Sequence, residues 1–150
     1  MLYCHHFVVL PLFIACLKGL ADIVSILLAA GAAVGKAMES GCRPLHIACE
    51  RGHTEIASML LAAGAVVNQA KADGAIPLHA ACFRGHPQAV SMLLTAGAAV
   101  DKTMESGATP LHLACKKGYT EIVSMLLAAG CAVDQSMKGG MVALHTACKN

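Results

Sequence analysis

Tryptophan is missing from this chain, and only two Tyr and three Phe are present. A core without large rings must be filled mostly by Ala, Leu and Val, through small, flat contacts between closely approaching helices. That suits repetition better than one globular nucleus. Charge is scarce as well: 13% of residues are charged against 57% hydrophobic, which excludes a solvated disordered chain. The net charge of +2 gives no electrostatic footprint for nucleic acid or an acidic membrane surface, and neither is expected as a partner. Lysine and arginine are absent from Met1 to Leu17, so this apolar stretch lacks the basic region that a secretory signal needs. It is also shorter than the ~20 apolar residues that cross a bilayer. Lys18 and Asp22 then interrupt it. It reads as a first structural unit with apolar helices, and no membrane span is expected.

What the 150 residues do contain is a period. Shifting the chain by 33 places Pro11, Pro44, Pro77 and Pro110 in one column, followed by Leu12, Leu45, Leu78, Leu111 and Leu144. Further columns hold Ala15, Ala48, Ala81, Ala114 and Ala147, then Gly19, Gly52, Gly85 and Gly118, and last Gly31, Gly64, Gly97 and Gly130. Such self-similarity marks a repeat architecture. The units span about 1–34, 35–67, 68–100 and 101–133, with a partial unit at 134–150, in a single domain of 1–150.

Within one period, Pro44 sits where a first helical residue needs no N–H, and Gly52 suits the left-handed position that ends a helix. This predicts a short first helix. Thr54 and Glu55 then offer an N-cap and a first-turn carboxylate, Ile56, Met59 and Leu60 share one helical face, and Gly64 ends the segment. A second, antiparallel helix follows. The stretch from Ala65 to Ile76 contains the turn pair Asp73-Gly74 and is expected to be a β-hairpin-like finger. Two helices of about two turns cannot stand alone in water, so each unit must bury its apolar faces on its neighbours. The expected fold is an all-α solenoid of stacked helix-turn-helix units with hairpin-like connecting fingers.

The run Gly107-Ala108-Thr109-Pro110-Leu111-His112-Leu113-Ala114, followed by Gly118-Tyr119-Thr120-Glu121-Ile122-Val123 and Leu126-Leu127-Ala128-Ala129-Gly130, resembles the ankyrin repeat. The resemblance extends from about Pro11 to Cys148. It implies a right-handed solenoid whose first helices line a concave, protein-binding face, with no reaction and no cofactor. It also implies that the column His46, His79, His112 and His145 bonds to backbone around the finger turns and keeps neighbouring units in register. Departures are visible. The helix-opening Thr survives only as Thr109; Leu10, Arg43, Ile76 and Val142 replace it and cannot cap a helix through a hydroxyl. On that ground Ile76→Thr is expected to add stability. Phe13 replaces the His, Ala143 replaces the Pro, and Val8 stands where the finger Gly belongs. The last unit lacks a second helix, so, if Lys149-Asn150 is the true C-terminus, fraying or self-association through uncapped ends is expected, with rapid exchange over 141–150.

The His column and the column Cys16, Cys49, Cys82, Cys115 and Cys148 together suggest zinc. Equivalent residues of adjacent units are separated by one helix-packing distance, about 8–10 Å, whereas zinc ligands converge to about 2.0–2.3 Å of the metal. One unit supplies only two ligands, so no metal is expected. The same spacing exceeds the roughly 4.4–6.8 Å between bridged Cα atoms, so the eight Cys are expected to be reduced, with the column acting as small buried hydrophobes. This favours a reducing, intracellular compartment, cytoplasmic or nuclear.

No nucleophile has a base placed by a local motif, and no Gly-rich loop forms a phosphate cradle; no catalytic residue is expected. A basic ladder of Lys18, Arg51, Arg84 and Lys117, with Lys116 and Lys149 beside it, stands at the ends of the first helices. It complements the helix dipoles, or selects an acidic segment of a partner. Partner identity is expected at positions that vary between similar units. At the turns these are Glu39, Ser40 and Cys42; Ala72, Asp73 and Ala75; Glu105, Ser106 and Ala108. On the first helices they are Ile47, Glu50, Ala80, Phe83, Leu113 and Lys116, with Phe83 as the anchor, and the ladder adds Arg51, Arg84 and Lys117 to the expected partner-binding residues. The expected function is non-catalytic protein binding through the finger tips and the concave face of the first helices, either as a scaffold within a longer array or as a regulatory or tethering segment of a larger enzyme or membrane protein.

Overall fold

A computed structural model describes residues 4–138, with side chains from residue 11 onward. Eight helices and no strands are found among them: α1 (Cys4–Lys18), α2 (Ala21–Ala29), α3 (Pro44–Arg51), α4 (Thr54–Ala62), α5 (Pro77–Arg84), α6 (Pro87–Thr95), α7 (Pro110–Lys117) and α8 (Thr120–Ala128). Each odd-numbered helix packs on the next, α1 on α3, α3 on α5 and α5 on α7. The even-numbered helices form a second layer in the same order, and each pairs with the odd helix before it. The core runs unbroken between the layers as columns of buried residues: Leu12, Leu45, Leu78 and Leu111; Ala15, Ala48, Ala81 and Ala114; Leu60, Leu93 and Leu126. No described helix is long and apolar enough to cross a membrane.

Local chemistry sets the helix bounds. Pro44, Pro77 and Pro110 open α3, α5 and α7, and the Gly after each of these helices takes a left-handed conformation. Thr54 is not the cap of α4: the cap residue is His53, Thr54 is the first helical residue, and its hydroxyl turns back to the Gly52 carbonyl at 3.4 Å. In the first unit, α1 begins at Cys4 and runs through Pro11. The reason lies at Val8, which stands where the other units carry the left-handed Gly of the finger, so the chain continues as helix. The expectations for Val142, Ala143, Leu144, His145, Ala147, Cys148 and Lys149, and for exchange over 141–150, lie outside the described residues.

The fingers contain a single turn instead of a ladder. Gly74 N–H donates to the Lys71 carbonyl at 3.0 Å and Lys71 N–H to the Ala75 carbonyl at 2.8 Å, and the other two fingers repeat the pattern. Neighbouring tips are joined through backbone, Ala72 N–H to Ser40 carbonyl, Glu105 N–H to Asp73 carbonyl and Lys138 N–H to Ser106 carbonyl. This close approach explains Gly41, where a Cβ would lie 2.9 Å from the Ala72 nitrogen. Arg43, in the lost cap position, ties the loops together by donating to the carbonyls of Gly35, Gly41 and Ala70.

Candidate functional site

Between the first helices and the fingers lies a cleft of about 300 Å³ lined by Glu50, Lys71, Ala75, His79, Ala80, Phe83, Arg84, Met104 and Leu113. Six of these were expected from the sequence: Glu50, Ala75, Ala80, Phe83 and Leu113 from variation between units, and Arg84 from the basic ladder. Lys71 and Met104 were missed because the finger residues singled out were those nearest the tip, and His79 because its column was assigned to keeping units in register. The signal existed: in the column Met38, Lys71, Met104 and Met137, Lys71 is the departure.

Phe83 carries the ladder with it. The Lys117 ammonium lies 4.5 Å from the ring centroid and the Arg84 guanidinium 5.7 Å, so one partly exposed aromatic ring gathers two ladder cations from successive units. Arg84 also donates twice to Glu50 of the preceding unit, at 2.6 and 3.2 Å. Phe83 thus has a packing role between units and remains 38% exposed. Lys18 and Arg51 complete the ladder as exposed residues, and Lys116 is exposed beside it.

The other expected residues divide by burial. Ile47, Ala75 and Ala108 are buried and present no side chain to a partner. Ala80, Cys42 and Leu113 are half-buried, while Glu39, Ala72 and Glu105 are exposed at the tips. Ser40, Asp73 and Ser106 are exposed too, yet their side-chain oxygens accept from the backbone N–H two residues on, at 3.3, 3.0 and 3.3 Å. Their recurrence as Ser, Asp, Ser is explained by the turn they close. Asp73 in addition pairs with Lys71 at 3.3 Å, and hydrogen bonding and that ammonium hold its carboxyl below the usual range despite desolvation, which acts the other way.

Holding this face in shape are two columns of rings. The Nδ1 atoms of His46, His79 and His112 accept from the backbone N–H of Arg43, Ile76 and Thr109 at 3.2–3.3 Å, closing half of a capping arrangement at each first helix. With Nδ1 accepting, Nε2 carries the proton, and His46 donates it to the Ala75 carbonyl of the next finger at 3.2 Å. Burial drives the His46 pKa down to about 4, and Lys71 and Arg43 act in the same sense while the Ala75 bond opposes them. Burial lowers His79 likewise, opposed by the Ala108 carbonyl. The second column escaped the sequence reading: His53, His86 and Tyr119 each place a ring over the glycine that ends the preceding first helix, Gly19, Gly52 and Gly85. A Cβ on any of these glycines would meet the ring at 2.6 Å.

A family model described as ankyrin repeats (3 copies) matches residues 12–104 and 78–150. The chain belongs to the ankyrin-repeat family. Comparison with curated proteins gives no match. Ankyrin repeats are generally protein–protein interaction modules, and the family is typically non-catalytic. In this ankyrin stack the cysteines whose side chains are described are free thiols: Cys16, Cys49, Cys82 and Cys131 are buried, Cys42 and Cys115 half-buried. Burial pushes Cys16 and Cys49 up to about 12 and raises Cys82 further. Thiols so held are packing residues, not nucleophiles. Among the described residues no three His, Cys, Asp or Glu converge as metal ligands.

Proposed function

We propose that this ankyrin stack is a non-catalytic binding module that holds a short segment of another protein in the cleft between the first helices and the fingers. The carrying observation is that Ala80, Phe83, Met104 and Leu113 offer an apolar floor while Lys71, Arg84 and Glu50 rim it and Lys117 lies over Phe83. Exposed Arg51 adds a further cation on the same ladder. With cations exceeding carboxylates around an apolar floor, the fitting segment has one large apolar side chain flanked by Asp or Glu. The volume suits one or two such side chains.

A displayed library of random peptides, selected against the full chain, tests this. Enriched peptides should combine a large apolar residue with flanking carboxylates and should bind more weakly as salt rises. Phe83→Ala and Arg84→Glu should each weaken them at least about tenfold, the loss expected when a central anchor is truncated. Ser91→Glu, at an exposed position on α6, should leave binding unchanged. Peptides that bind Phe83→Ala and Arg84→Glu as well as the unaltered chain would place the recognition surface elsewhere.

A further inference from the structure

The contact between Arg84 and Glu50 at the rim of the cleft uses only half of the carboxylate. The Nε and Nη2 atoms of an arginine form a side-on edge whose two parallel N–H groups match the two oxygens of a carboxylate. Here both donate to one oxygen, Glu50 Oε1, at 3.2 and 2.6 Å, and Oε2 takes neither bond. Among the described residues nothing else bonds to that carboxylate.

The fold does not require a carboxylate at this position. In the same column the other units carry Leu17, Phe83 and Lys116, so stacking proceeds without one. Glu50 also lies in the last turn of α3, where the negative end of the helix disfavours an acid. Its main chain is pinned, because the Glu50 carbonyl accepts from His86 Nε2 at 3.0 Å, but its side chain is held by Arg84 alone. Asp73, the other paired carboxylate beside the cleft, is different. Its Oδ1 closes the finger turn by accepting from the Ala75 N–H at 3.0 Å while Oδ2 faces the Lys71 ammonium at 3.3 Å, so the turn itself holds it in place.

We propose that Glu50 is a built-in competitor for the partner's acid: it occupies Arg84 in the free protein, and an Asp or Glu side chain of the bound segment displaces it. The incoming carboxylate takes both donors of the guanidinium with both of its oxygens, and Glu50 turns out to solvent. This inference rests on the reading of the cleft as the site for an acidic segment. Displacement is cheap, since the Arg84 and Glu50 side chains are 51% and 30% exposed and an ion pair so open to water is weak. The cation is already placed for its new partner, because Arg84 stays within 5.7 Å of the Phe83 ring that anchors the apolar side chain. The contact thereby adds selectivity. A segment with an apolar residue and no acid leaves the pair closed, and a segment that brings a second acid near Glu50 meets a like charge until the pair opens.

The probe is a peptide selected from the displayed library whose binding requires Phe83, synthesised with blocked ends so that only its Asp and Glu side chains carry negative charge. Isothermal titration should show Glu50→Gln binding it about two- to fivefold more tightly than the unaltered chain, because no internal pair has to open. The gain should vanish when Glu50→Gln is added to Arg84→Gln, where Glu50 has no cation to release. It should vanish as well for the same peptide with Asn and Gln in place of Asp and Glu. Equal or weaker binding by Glu50→Gln would overturn the competition while leaving the cleft reading intact. So would a gain that persists in the Arg84→Gln background, which is the mark of general charge repulsion. If no selected peptide depends on Phe83, the cleft reading fails and this inference falls with it.

Discussion

His86 stands over Gly52, with its Nε2 3.0 Å from the Glu50 carbonyl oxygen and its ring filling the space that a Cβ on Gly52 would take. One contact thereby satisfies a free carbonyl at the end of α3 and fixes the next unit's second helix against it. The glycine is required twice, for its φ of +73° and for the ring above it.

Substituting glycines separates these two requirements. Gly97 has a φ of +86° and nothing within 4 Å of a built Cβ, so Gly97→Ala should cost about 1–2 kcal/mol from the left-handed backbone alone. Gly52→Ala should cost a further ~1–3 kcal/mol, because the His86 ring must leave its bond to Glu50. Urea unfolding of both, with a double-mutant cycle to His86→Ala, measures the difference; equal costs would remove the ring from the account.

Cap and packing compete at Ile76. The side chain is fully buried at the cap position of α5, so the gain expected from a Thr hydroxyl is opposed by lost contacts. Thr109 shows what the hydroxyl can do: its Oγ1 accepts from the His112 backbone N–H at 3.3 Å and lies 2.7 Å from His112 Nδ1. Ile76→Val should cost about 0.5–1.5 kcal/mol. Ile76→Thr should then be the more stable of the two by about 1 kcal/mol, leaving it close to the unaltered protein. Thermal or urea midpoints of the pair decide it, and Thr no better than Val would refute the cap.

Acid should weaken the fold in a defined window. His46 takes up a proton near pH 6.5 when unfolded and near pH 4 when folded, so between those values the unfolded chain binds more protons and stability falls as pH falls. His79 is lowered in the same direction and adds to the slope. The loss from pH 7 to pH 4.5 should be on the order of 1–3 kcal/mol for His46. Urea midpoints across that range should fall, and His46→Gln should flatten the curve. An equally steep curve in that variant would assign the effect to other groups.

Thiol labelling should follow burial more than column membership. Cys16, Cys49 and Cys82 should resist alkylation until the protein unfolds, since their thiolates are suppressed and inaccessible. Half-buried Cys42 and Cys115 should react first, so the protection expected from sequence for Cys115 is not retained. Mass spectrometry of a timed alkylation resolves the order, and early labelling of Cys49 would contradict the packed interface of α3 with α1 and α5.

The repeat, the helix bounds at Pro44–Arg51, Pro77–Arg84 and Pro110–Lys117, and the glycine stops were legible in the residues alone, because proline, glycine and periodic leucine act through the backbone within a few residues. The sequence also pointed to much of the cleft, since Glu50, Ala80, Phe83 and Leu113 vary between units and Arg84 belongs to the recurring basic ladder. Which of those side chains remain available depends on contacts between units. Arg84 reaches Glu50 across 34 residues, His46 reaches Ala75 across 29 and His86 reaches Glu50 across 36. Partners at such separations are chosen by how one rigid unit stacks on the next, which no local pattern encodes. The same stacking buries Ala75 and Ala108, gives Ser40, Asp73 and Ser106 to the turns, and leaves Ile23 in water while Ile56 is covered. Identical residues in one column thus meet different surroundings, and those surroundings exist only once the units are assembled.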